Sequence, residues 1–414
     1  MTSELSQPGL ISGILPKGWN VTTANSVCSK ITKGTTPPKA AVVVSGGIPF
    51  LRVNNLTFEG RLNDDSEIVF ISETSHRGFL ARSVAYPGDV VMNIVGPPLG
   101  KIALLPDRFA EYNLNQAIVI YRTRSTEVDR RFFLAYLGCG VAQQWLQLRS
   151  KKTSGQQNLT IELCKQLPVL LPPLDEQKTI ATILATWDTA IETIDHLIAN
   201  GETQKSALMQ YLLSGKVRTG GSKQAWQSRL LGNLFTERVE TNRPDLSLLS
   251  ITASNGVIPQ SEVGRKNSSN EDKAKYKRIC PGDIGYNTMR MWQGVSALSF
   301  AEGIVSPAYT VVKSKGEIDP LFASYLFKLP QMIHKFRQHS QGLTSDTWNL
   351  KFPNFARIEV TLPALEEQKR IAEVLSNADR LIQSSRAHRE VLMEEKAALV
   401  QQLVTGKYRV DGNG

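Results

Sequence analysis

Residues 171–178 read LPPLDEQK and residues 362–369 read LPALEEQK, and the likeness continues without a gap to SGKVR at 214–218 and TGKYR at 405–409. Over the 48 positions aligned in this way, 19 residues are identical. Two unrelated segments of this length would share only a few residues, so the chain contains an internal duplication. The duplication divides the chain into a first domain (1–170), a first copy (171–218), a second domain (219–361) and a second copy with a tail (362–414).

Each copy carries the start and stop signals of one long helix. Proline precedes it, and acidic residues such as Asp175 and Glu176 occupy the first turn, where the helix dipole favours negative charge. A glycine, Gly215 or Gly406, stands where a C-terminal cap belongs. These signals predict a helix of about 40 residues, which is roughly 60 Å long at 1.5 Å per residue.

Apolar residues inside each copy alternate at spacings of four and three, which is the a/d heptad pattern of a coiled coil. Because duplicated elements of one chain are held at high effective concentration, we expect the two helices to pair with each other, antiparallel, as an intramolecular coiled coil with a pseudo-twofold axis. A parallel homodimer is the alternative. The predicted seams are Ile180, Leu184, Trp187, Ile191, Ile194, Ile198, Gly201, Lys205, Leu208 and Leu212 in the first copy, and Ile371, Leu375, Ala378, Ile382, Ser385, Arg389, Leu392, Lys396, Leu399 and Leu403 in the second.

A Glu-x-Lys sequence at the start of each copy, with Glu176 in the first and Glu367 in the second, matches one end of a common nuclease motif. That motif needs a strand and a nearby preceding aspartate, whereas these residues stand at a predicted helix start. We therefore interpret them as helix-start residues rather than metal ligands.

The excess positive charge lies in the two domains and not in the repeated segments. Of the net +10, residues 1–170 carry +6 and residues 219–361 carry +6, while 171–218 carry −2 and 362–414 are neutral. Basic domains attract polyanions, and phosphate backbones are the usual target. Charge that only maintains solubility is the alternative interpretation.

The two domains resemble each other more weakly than the helices do. Tyr-Pro-Gly-Asp-Val at 86–90 parallels Cys-Pro-Gly-Asp-Ile at 280–284, and each Pro-Gly-Asp predicts a tight turn into a strand. Short β-rich runs bounded by Gly, Pro and Asn, together with a helix at about 129–148 and its counterpart near 320–336, predict mixed α/β domains of the α+β class. The predicted strands of the first domain are 41–44, 68–71, 89–94, 101–105 and 117–121.

The usual signatures of catalysis and metal binding are missing from the sequence. It contains no Gly-x-Gly-x-x-Gly, no P-loop, no Asp/Asn-Pro-Pro-aromatic motif, no G-x-S-x-G and no His-rich cluster. The four cysteines form no CxxC pair, so buried free thiols are expected and no metal site is. No stretch approaches the roughly 20 apolar residues of a membrane span, and residues 1–10 lack signal-peptide features, so we expect a cytoplasmic chain without membrane contact.

Polar and basic residues on predicted loops are the candidates for contacts with nucleic acid. Arg, Lys, Asn and Gln are the side chains that read base edges and hold phosphates, although each of them taken singly is more often a solvated loop residue. The candidates are Lys33, Thr35, Arg52, Asn54, Lys151, Lys152 and Gln156 in the first domain, and Arg265, Lys266, Lys275, Arg278, Arg290 and Trp292 in the second.

The starts LPPLDEQK and LPALEEQK, the long helices and the Ser/Thr-Gly-Lys ends resemble the two conserved regions of type I restriction–modification specificity subunits. Residues 15–19, LPKGW, and the Asn-Leu pairs at 158–159 and 349–350 also resemble that family. The resemblance covers nearly the whole chain.

The resemblance implies that each variable domain is a target-recognition domain, and that each reads one half of a split duplex DNA sequence. It implies that the helices are an antiparallel spacer that sets the gap between the half-sites, and that the chain itself is not catalytic. The implied partners are two modification subunits, which bind S-adenosylmethionine and methylate adenine, and restriction (translocase and nuclease) subunits, which use ATP and Mg. No family motif extends to individual loop residues, so the candidates above depend on residue chemistry alone.

Two other classes of function are compatible with the sequence. A coiled-coil scaffold could carry basic domains that bind RNA or protein, and salt-dependent binding to duplex DNA would distinguish it from a DNA-recognition subunit. An enzyme with an unrecognised active site would show activity on DNA as an isolated chain.

Overall fold

The computed structural model describes residues 15–44, 46–63, 66–153, 156–220, 224–252, 255–263, 273–344 and 347–410, except for the side chains of 152, 153 and 156. The chain divides into two compact units, Met1–Thr193 with His388–Gly414, and Ile194–Ala387. Each unit contains one of the basic domains and about half of each long helix, so the unit boundaries pass through both helices.

The first unit is built around an antiparallel four-stranded sheet whose strands are, in spatial order, Cys28–Lys33, Ile118–Thr123, Val90–Asn93 and Ile102–Leu104. A second four-stranded sheet, in the order Val42–Val43, Val69–Ile71, Ile48–Leu51 and Asn113–Leu114, packs over a separate small core. The predicted strands of this domain are confirmed to within one or two residues, because each is a short β-branched run that ends at a turn former. A third sheet consists of Lys151–Thr153, Gln156–Asn158 and Val95–Gly96.

The first unit has several short helices, and those other than Glu73–Arg77 pack on one face of the central sheet. The helices are Ala24–Val27, Glu73–Arg77, Arg130–Gly138, Gly140–Arg149 and Ile161–Gln166, with single 3-10 turns at Lys39–Ala41, Val53–Asn55 and Ala81–Ser83. The prediction of one helix over 129–148 was wrong in that respect. The helix breaks at Cys139, whose backbone is extended (φ −73°, ψ 156°) between two glycines that are poor helix formers.

The second unit repeats this plan with fewer strands. Its antiparallel central sheet has the order Phe235–Glu237, Tyr309–Ser314, Ile284–Asn287 and Ser296–Leu298. Two antiparallel strand pairs, Leu249–Ile251 with Val257–Pro259 and Lys277–Ile279 with Gly303–Val305, lie beside it. The helices are Leu231–Leu234, Pro320–Leu326, Pro330–His339 and Phe352–Phe355, with 3-10 turns at Gln260–Glu262 and Met291–Gln293. The predicted helix near 320–336 is therefore also two helices, since Pro330 starts a new one.

A two-stranded antiparallel pair closes each domain at the base of its long helix. In the first unit Asn20–Thr23 pairs with Pro168–Leu171, and in the second Gln227–Leu230 pairs with Glu359–Leu362. Each of these later strands leads directly into a long helix. The start of the domain is thus tied to the start of the helix.

The Pro-Gly-Asp elements are the predicted tight turns. Gly88 and Gly282 have φ values of 88° and 87°, which suit glycine because a Cβ is disfavoured there. The aspartate that follows accepts a backbone hydrogen bond across its own turn and is paired with an arginine of a neighbouring strand. Asp89 holds Arg122, and Asp283 holds Arg238. Structure, not catalysis, accounts for these motifs.

The two copies of the repeat form 39-residue helices, Leu174–Leu212 and Leu365–Leu403. Every predicted seam residue is buried or half-buried, while the residues between them are mostly exposed. Inside the first unit, Asp188 of the first helix pairs with Lys396 of the second. Inside the second unit, Gly201 lies against Ile382, and Lys205 pairs with Asp379 at 2.5 Å. In the second unit the contacting residue numbers rise along one helix while they fall along the other, so the helices pack antiparallel there.

Candidate nucleic-acid interface

The glutamate of the Glu-Gln-Lys motif anchors the segment that follows the other helix. In the second unit the Glu367 carboxylate is only 1% exposed and accepts two hydrogen bonds from the Arg218 guanidinium, at 2.8 and 2.7 Å. This bidentate pairing lowers the pKa of Glu367 despite its burial. The helix-start interpretation of the Glu-x-Lys sequence is consistent with this contact, since the carboxylate is bound to an arginine.

The same contact occurs in the first unit at positions shifted by 191 residues. The Glu176 carboxylate accepts hydrogen bonds from Arg409, at 3.2 and 2.8 Å, and from Trp19 Nε1 at 3.1 Å. Arg409 also donates to the carbonyl oxygen of Lys17 at 2.9 Å. We call these two ion pairs, Arg218–Glu367 and Arg409–Glu176, the helix clasps.

The glutamine of the motif attaches each domain to its helix through backbone atoms. Gln177 Oε1 accepts from the amide of Asp129 at 2.8 Å, and Gln368 Oε1 accepts from the amide of Asp319 at 2.9 Å. Each glutamine also donates to the carbonyl two residues before that aspartate. Because no domain side chain is needed, this attachment tolerates a change of domain sequence.

Both seams contain polar residues near their middles, and the structure gives those residues partners. Lys205 and Asp379 form an ion pair whose carboxylate also accepts from the Tyr325 hydroxyl at 2.7 Å. Burial and the neighbouring Asp379 raise the pKa of Tyr325 above its ordinary value. The pair formed by Lys396 and Asp188 stands at the equivalent positions of the first unit.

Lys328 holds the end of a loop in the second domain. Its ammonium group donates to the carbonyl oxygens of Gly294, at 2.9 Å, and of Ser296, at 2.7 Å. Burial, aided by the positive charge of Lys205, lowers the pKa of Lys328 to about 8. The loop that precedes Gly294 contains two of the predicted contact residues, Arg290 and Trp292.

This lowered pKa predicts that the stability of the second unit rises with pH. Between pH 8 and 10.5 the unfolded chain keeps the lysine proton while the folded chain releases it, so the free energy of unfolding increases, by up to about 3 kcal/mol. Urea denaturation at pH 7 and pH 9.5 measures the change. Lys328→Met should remove this gain and Lys313→Met, at an exposed lysine of the same domain, should keep it. An unchanged gain in Lys328→Met would contradict the prediction.

The predicted contact residues of the first domain lie in two places. Lys33 and Asn54 are exposed. Their segments both lie next to Leu114, since the Thr35 amide donates to the Leu114 carbonyl and Leu51 pairs with Leu114 in the sheet. Lys151 is exposed on the hairpin next to Val95–Gly96. The side chains of Lys152 and Gln156 lie outside the described residues.

Two of the predicted contact residues of the first domain, Thr35 and Arg52, have side chains that are buried or half-buried. Thr35 is buried, and its hydroxyl accepts a hydrogen bond from Arg82 at 3.2 Å. The Arg52 side chain is half-buried, and its Nε has no partner among the described residues. Its amide donates to Asn55, which organises the turn in which Asn54 stands.

The predicted contact residues of the second domain also fall into different environments. Lys275 is exposed, whereas the Arg278 guanidinium is bound by Glu240 and Glu302, at 2.7 and 2.6 Å. Arg290 is exposed, and Trp292 lies in the next turn. Arg265 and Lys266 lie outside the described residues. Thr35 and Arg278 are therefore not part of the proposed interface. The Thr35 side chain is buried, and the two glutamates neutralise the charge of Arg278.

The structure places two loops of each domain side by side. In the first domain Val95–Gly96 pairs with Gln156–Asn158, and the amide of Leu159 donates to the carbonyl of Ile94 at 2.9 Å. In the second domain the amide of Leu350 donates to the carbonyl of Thr288 at 2.8 Å. We call these the paired loops, residues 94–100 with 151–153 and 156–158, and residues 288–294 with 341–344 and 347–349.

Sequence reasoning missed Trp226 and Trp348. Trp226 packs on Gly215 and under Arg218, as Trp19 packs near Gly406, and the weak sequence likeness around these tryptophans concealed the equivalence. Trp348 lies against Trp292, with the ring centroids 5.4 Å apart. Its position directly before the Asn-Leu pair at 349–350 is a signal that could have identified it.

Within the described ranges, no group of three or more His, Cys, Asp or Glu residues is placed to hold a metal ion. No helix in the described part of the chain is both long enough and apolar enough to cross a membrane. Cys28, Cys139 and Cys164 are buried free thiols, and Cys280 is half-buried.

A family model described as the type I restriction modification DNA specificity domain matches this chain twice, at residues 16–200 and 223–394. Two relatives come from Methanocaldococcus jannaschii. The type I restriction enzyme MjaX specificity subunit is 23% identical, over 96% of this chain and 95% of its own length. The MjaVIII specificity subunit is 27% identical, over 65% and 68%.

Solved structures show the same fold at low sequence identity. A chain from a type I restriction–modification system, studied for complex assembly and conformational transition, has a TM-score of 0.59 at 17% identity and covers 96% of this chain and 100% of its own. The S subunit of M. genitalium has a TM-score of 0.54 at 15% identity, with coverage of 93% and 96%. The HsdS subunit of Thermoanaerobacter tengcongensis has a TM-score of 0.50 at 17% identity, with coverage of 96% and 99%.

Proposed function

Because this chain belongs to the type I restriction–modification DNA specificity family, whose members are the non-catalytic DNA-recognition component of these systems, we propose that each of its two domains reads one half of a split duplex target. Recognition of DNA sequence is the function of the family. The observation that carries the two-half assignment is the double match of the family model, once to each domain with its helix. The equal charge of +6 on residues 1–170 and 219–361 supports two equivalent contacts with phosphate.

The paired loops are the proposed reading surface of each domain. They stand at equivalent positions in the two domains, and they carry predicted contact residues that are exposed, Lys151 in the first and Arg290 in the second. Loops on a rigid sheet are well suited to variable recognition, since they can change sequence without loss of the core. Lys33, Asn54 and Lys275 are exposed elsewhere on their domains and are proposed phosphate contacts.

The long helices have two proposed tasks, to set the gap between the half-sites and to recruit two modification subunits. Exposed apolar side chains on them support the second task, for example Leu197 (58% exposed) and Leu381 (71% exposed), since such residues on a helix often mark a protein contact. The modification subunits would bring S-adenosylmethionine, and restriction subunits would bring ATP and Mg chemistry. Assembly with such subunits on genomic DNA would place the chain in the cytoplasm.

A library of split duplexes tests the proposed function directly. The chain would be purified with its modification subunits and incubated with random duplexes and S-adenosylmethionine, and the methylated molecules would be sequenced. We expect one motif made of two short specified halves around an unspecified gap. Binding to RNA without preference for any duplex would instead favour the scaffold function.

The spacer role predicts the effect of longer helices. One heptad inserted after Thr193 and one after Ala387, at the unit boundaries, should leave the contacts inside each unit in register. Each insertion adds about 10 Å of helix, which corresponds to roughly three base pairs. We expect both half-sites to stay the same while the gap in the methylated motif lengthens. A heptad in one helix only is the control, because it shifts the register and should impair assembly. An unchanged gap would show that the helices do not set the spacing.

A further inference from the structure

The paired loops of the second domain are held together by two tryptophans. The rings of Trp292 and Trp348 meet edge to face, 5.4 Å apart at an interplanar angle of 84°. Trp292 Nε1 donates to the carbonyl oxygen of Met289 at 2.9 Å, and the Arg337 guanidinium lies over the Trp348 ring at 5.1 Å. These contacts join residues 288–294 to residues 347–349 and restrict both segments.

The base of this surface is fixed in the domain core. Met291 is fully buried, and Gly294 (φ 77°) lies so close to Ile333 that a Cβ would come within 2.9 Å of its Cδ1. The ammonium group of Lys328 donates a hydrogen bond to the carbonyl oxygen of Gly294. The loops therefore present their outer side chains from a rigid support.

Several side chains on and beside these loops are exposed, and they are either apolar or cationic. Leu343 is fully exposed, and Met289 is 51% exposed. Arg290 is exposed, and no described residue hydrogen-bonds or pairs with its guanidinium. Arg337 is exposed, with its guanidinium over the Trp348 ring. Such exposure does nothing for the stability of the isolated domain, and exposed apolar side chains on a loop with a rigid base suit contact with a partner molecule.

We propose that Leu343 is a specificity-determining residue that contacts the apolar edge of an A·T pair in the half-site read by the second domain, with Arg290 and Arg337 on the adjacent phosphates. The proposal rests on the proposed function of DNA recognition. An aliphatic side chain makes favourable contact with the thymine methyl group, which distinguishes A·T from G·C, while arginines hold phosphates without reading sequence. Met289 would extend the apolar contact to the neighbouring base pair.

The test uses the chain assembled with its modification subunits and the split duplex library. We expect Leu343→Ala to reduce discrimination about tenfold at one A·T position of one half-site. The other half-site and the salt dependence of binding should not change. Arg290→Ala should weaken binding to all sequences alike and reduce the salt slope by about one. Both side chains are exposed, so neither variant should affect folding.

Phe300→Ala is the matched control. Phe300 is 79% exposed and follows Ser296–Leu298, at the end of that strand away from residues 288–294, so its loss should leave both half-sites unchanged. The proposal is overturned if the wild-type complex specifies a split motif and Leu343→Ala specifies the same motif to the same degree. It is also overturned if Leu343→Ala weakens all sequences equally. Absence of any motif with the wild-type complex would instead refute the proposed function.

Discussion

Arg218→Ala should lower the melting temperature of the second unit by an amount on the order of 5–10 °C. The reason is that the Glu367 carboxylate, which is 1% exposed, loses the guanidinium and keeps, among the described residues, the distant amide of Thr219 (3.4 Å) as its hydrogen-bond donor. A buried carboxylate without its cation is strongly unfavourable. Differential scanning calorimetry of the wild type and the variant at pH 7 measures the effect.

We expect the Arg409–Glu176 clasp to contribute less stability than the Arg218–Glu367 clasp. Glu176 keeps the Trp19 indole as a hydrogen-bond donor when Arg409 is removed, and the Arg409 side chain is 43% exposed. Arg409→Ala should therefore destabilise its unit less than Arg218→Ala destabilises the other. The double variant Arg218→Ala with Glu367→Ala should recover part of the loss, because it removes the buried charge together with its partner. Equal melting temperatures for the wild type and Arg218→Ala would contradict the structural role of the clasp.

The clasp also has a defined pH dependence. Arg218 lowers the pKa of Glu367 below its ordinary value of 4.5, so the folded chain holds fewer protons than the unfolded chain in this range. The stability from this pair is present in full above about pH 4.5 and is lost as the pH falls through the folded pKa. Arg218→Ala should lose less stability on acidification than the wild type does.

Exchange of residues 219–361 for the matching segment of another family member should change one half of the methylated motif completely and leave the other half as it was. Residues 219–361 contain the whole second domain, with its paired loops, while Arg218 and Glu367 of the clasp lie just outside it. Both strands of the closing pair, Gln227–Leu230 and nearly all of Glu359–Leu362, come from the donor. Sequencing of methylated DNA from cells that carry the hybrid measures the motif.

The structure explains why such a hybrid should fold. Gln368 on the retained helix bonds the amide of Asp319 and the carbonyl of Glu317, and backbone groups are present in any donor. The donor must also match side-chain contacts with the helices, such as that of Tyr325 with Asp379 and the packing of the domain core on Ile371 and Leu375. The reciprocal exchange of residues 1–170 is the control and should change only the other half. A hybrid in which both halves change would refute the assignment of one half-site to each domain.

Much of the fold was predictable because its signals are local. The long helices, their acidic first turns and their glycine ends depend on residues within a few positions of each other, and the heptad pattern identified the faces that are buried. The Pro-Gly-Asp turns and the short strands were predicted for the same reason. The single helix over 129–148 was mispredicted, since its apolar spacing continues across Cys139 although the backbone there does not remain helical.

The contact residues were less accessible to sequence reasoning. A polar residue on a loop looks the same in the sequence whether its side chain faces solvent, a carboxylate or the core. Arg278 and Thr35 are examples, since Glu240, Glu302 and Arg82 are distant in sequence from the residues they bind. The tryptophan pair that supports Leu343 joins segments 56 residues apart and was equally hidden.

The sequence by itself determined that this protein is an internal duplication with two long helices and two basic mixed α/β domains, because the repeat and the apolar periodicity can be identified from the order of residues alone. The tertiary structure decided how the repeated motif works. Glu176 and Glu367 could have been ordinary helix-start residues, yet each binds an arginine more than 140 residues away. The structure also decided which loops stand together. Such contacts depend on packing between remote segments, and no local pattern encodes them.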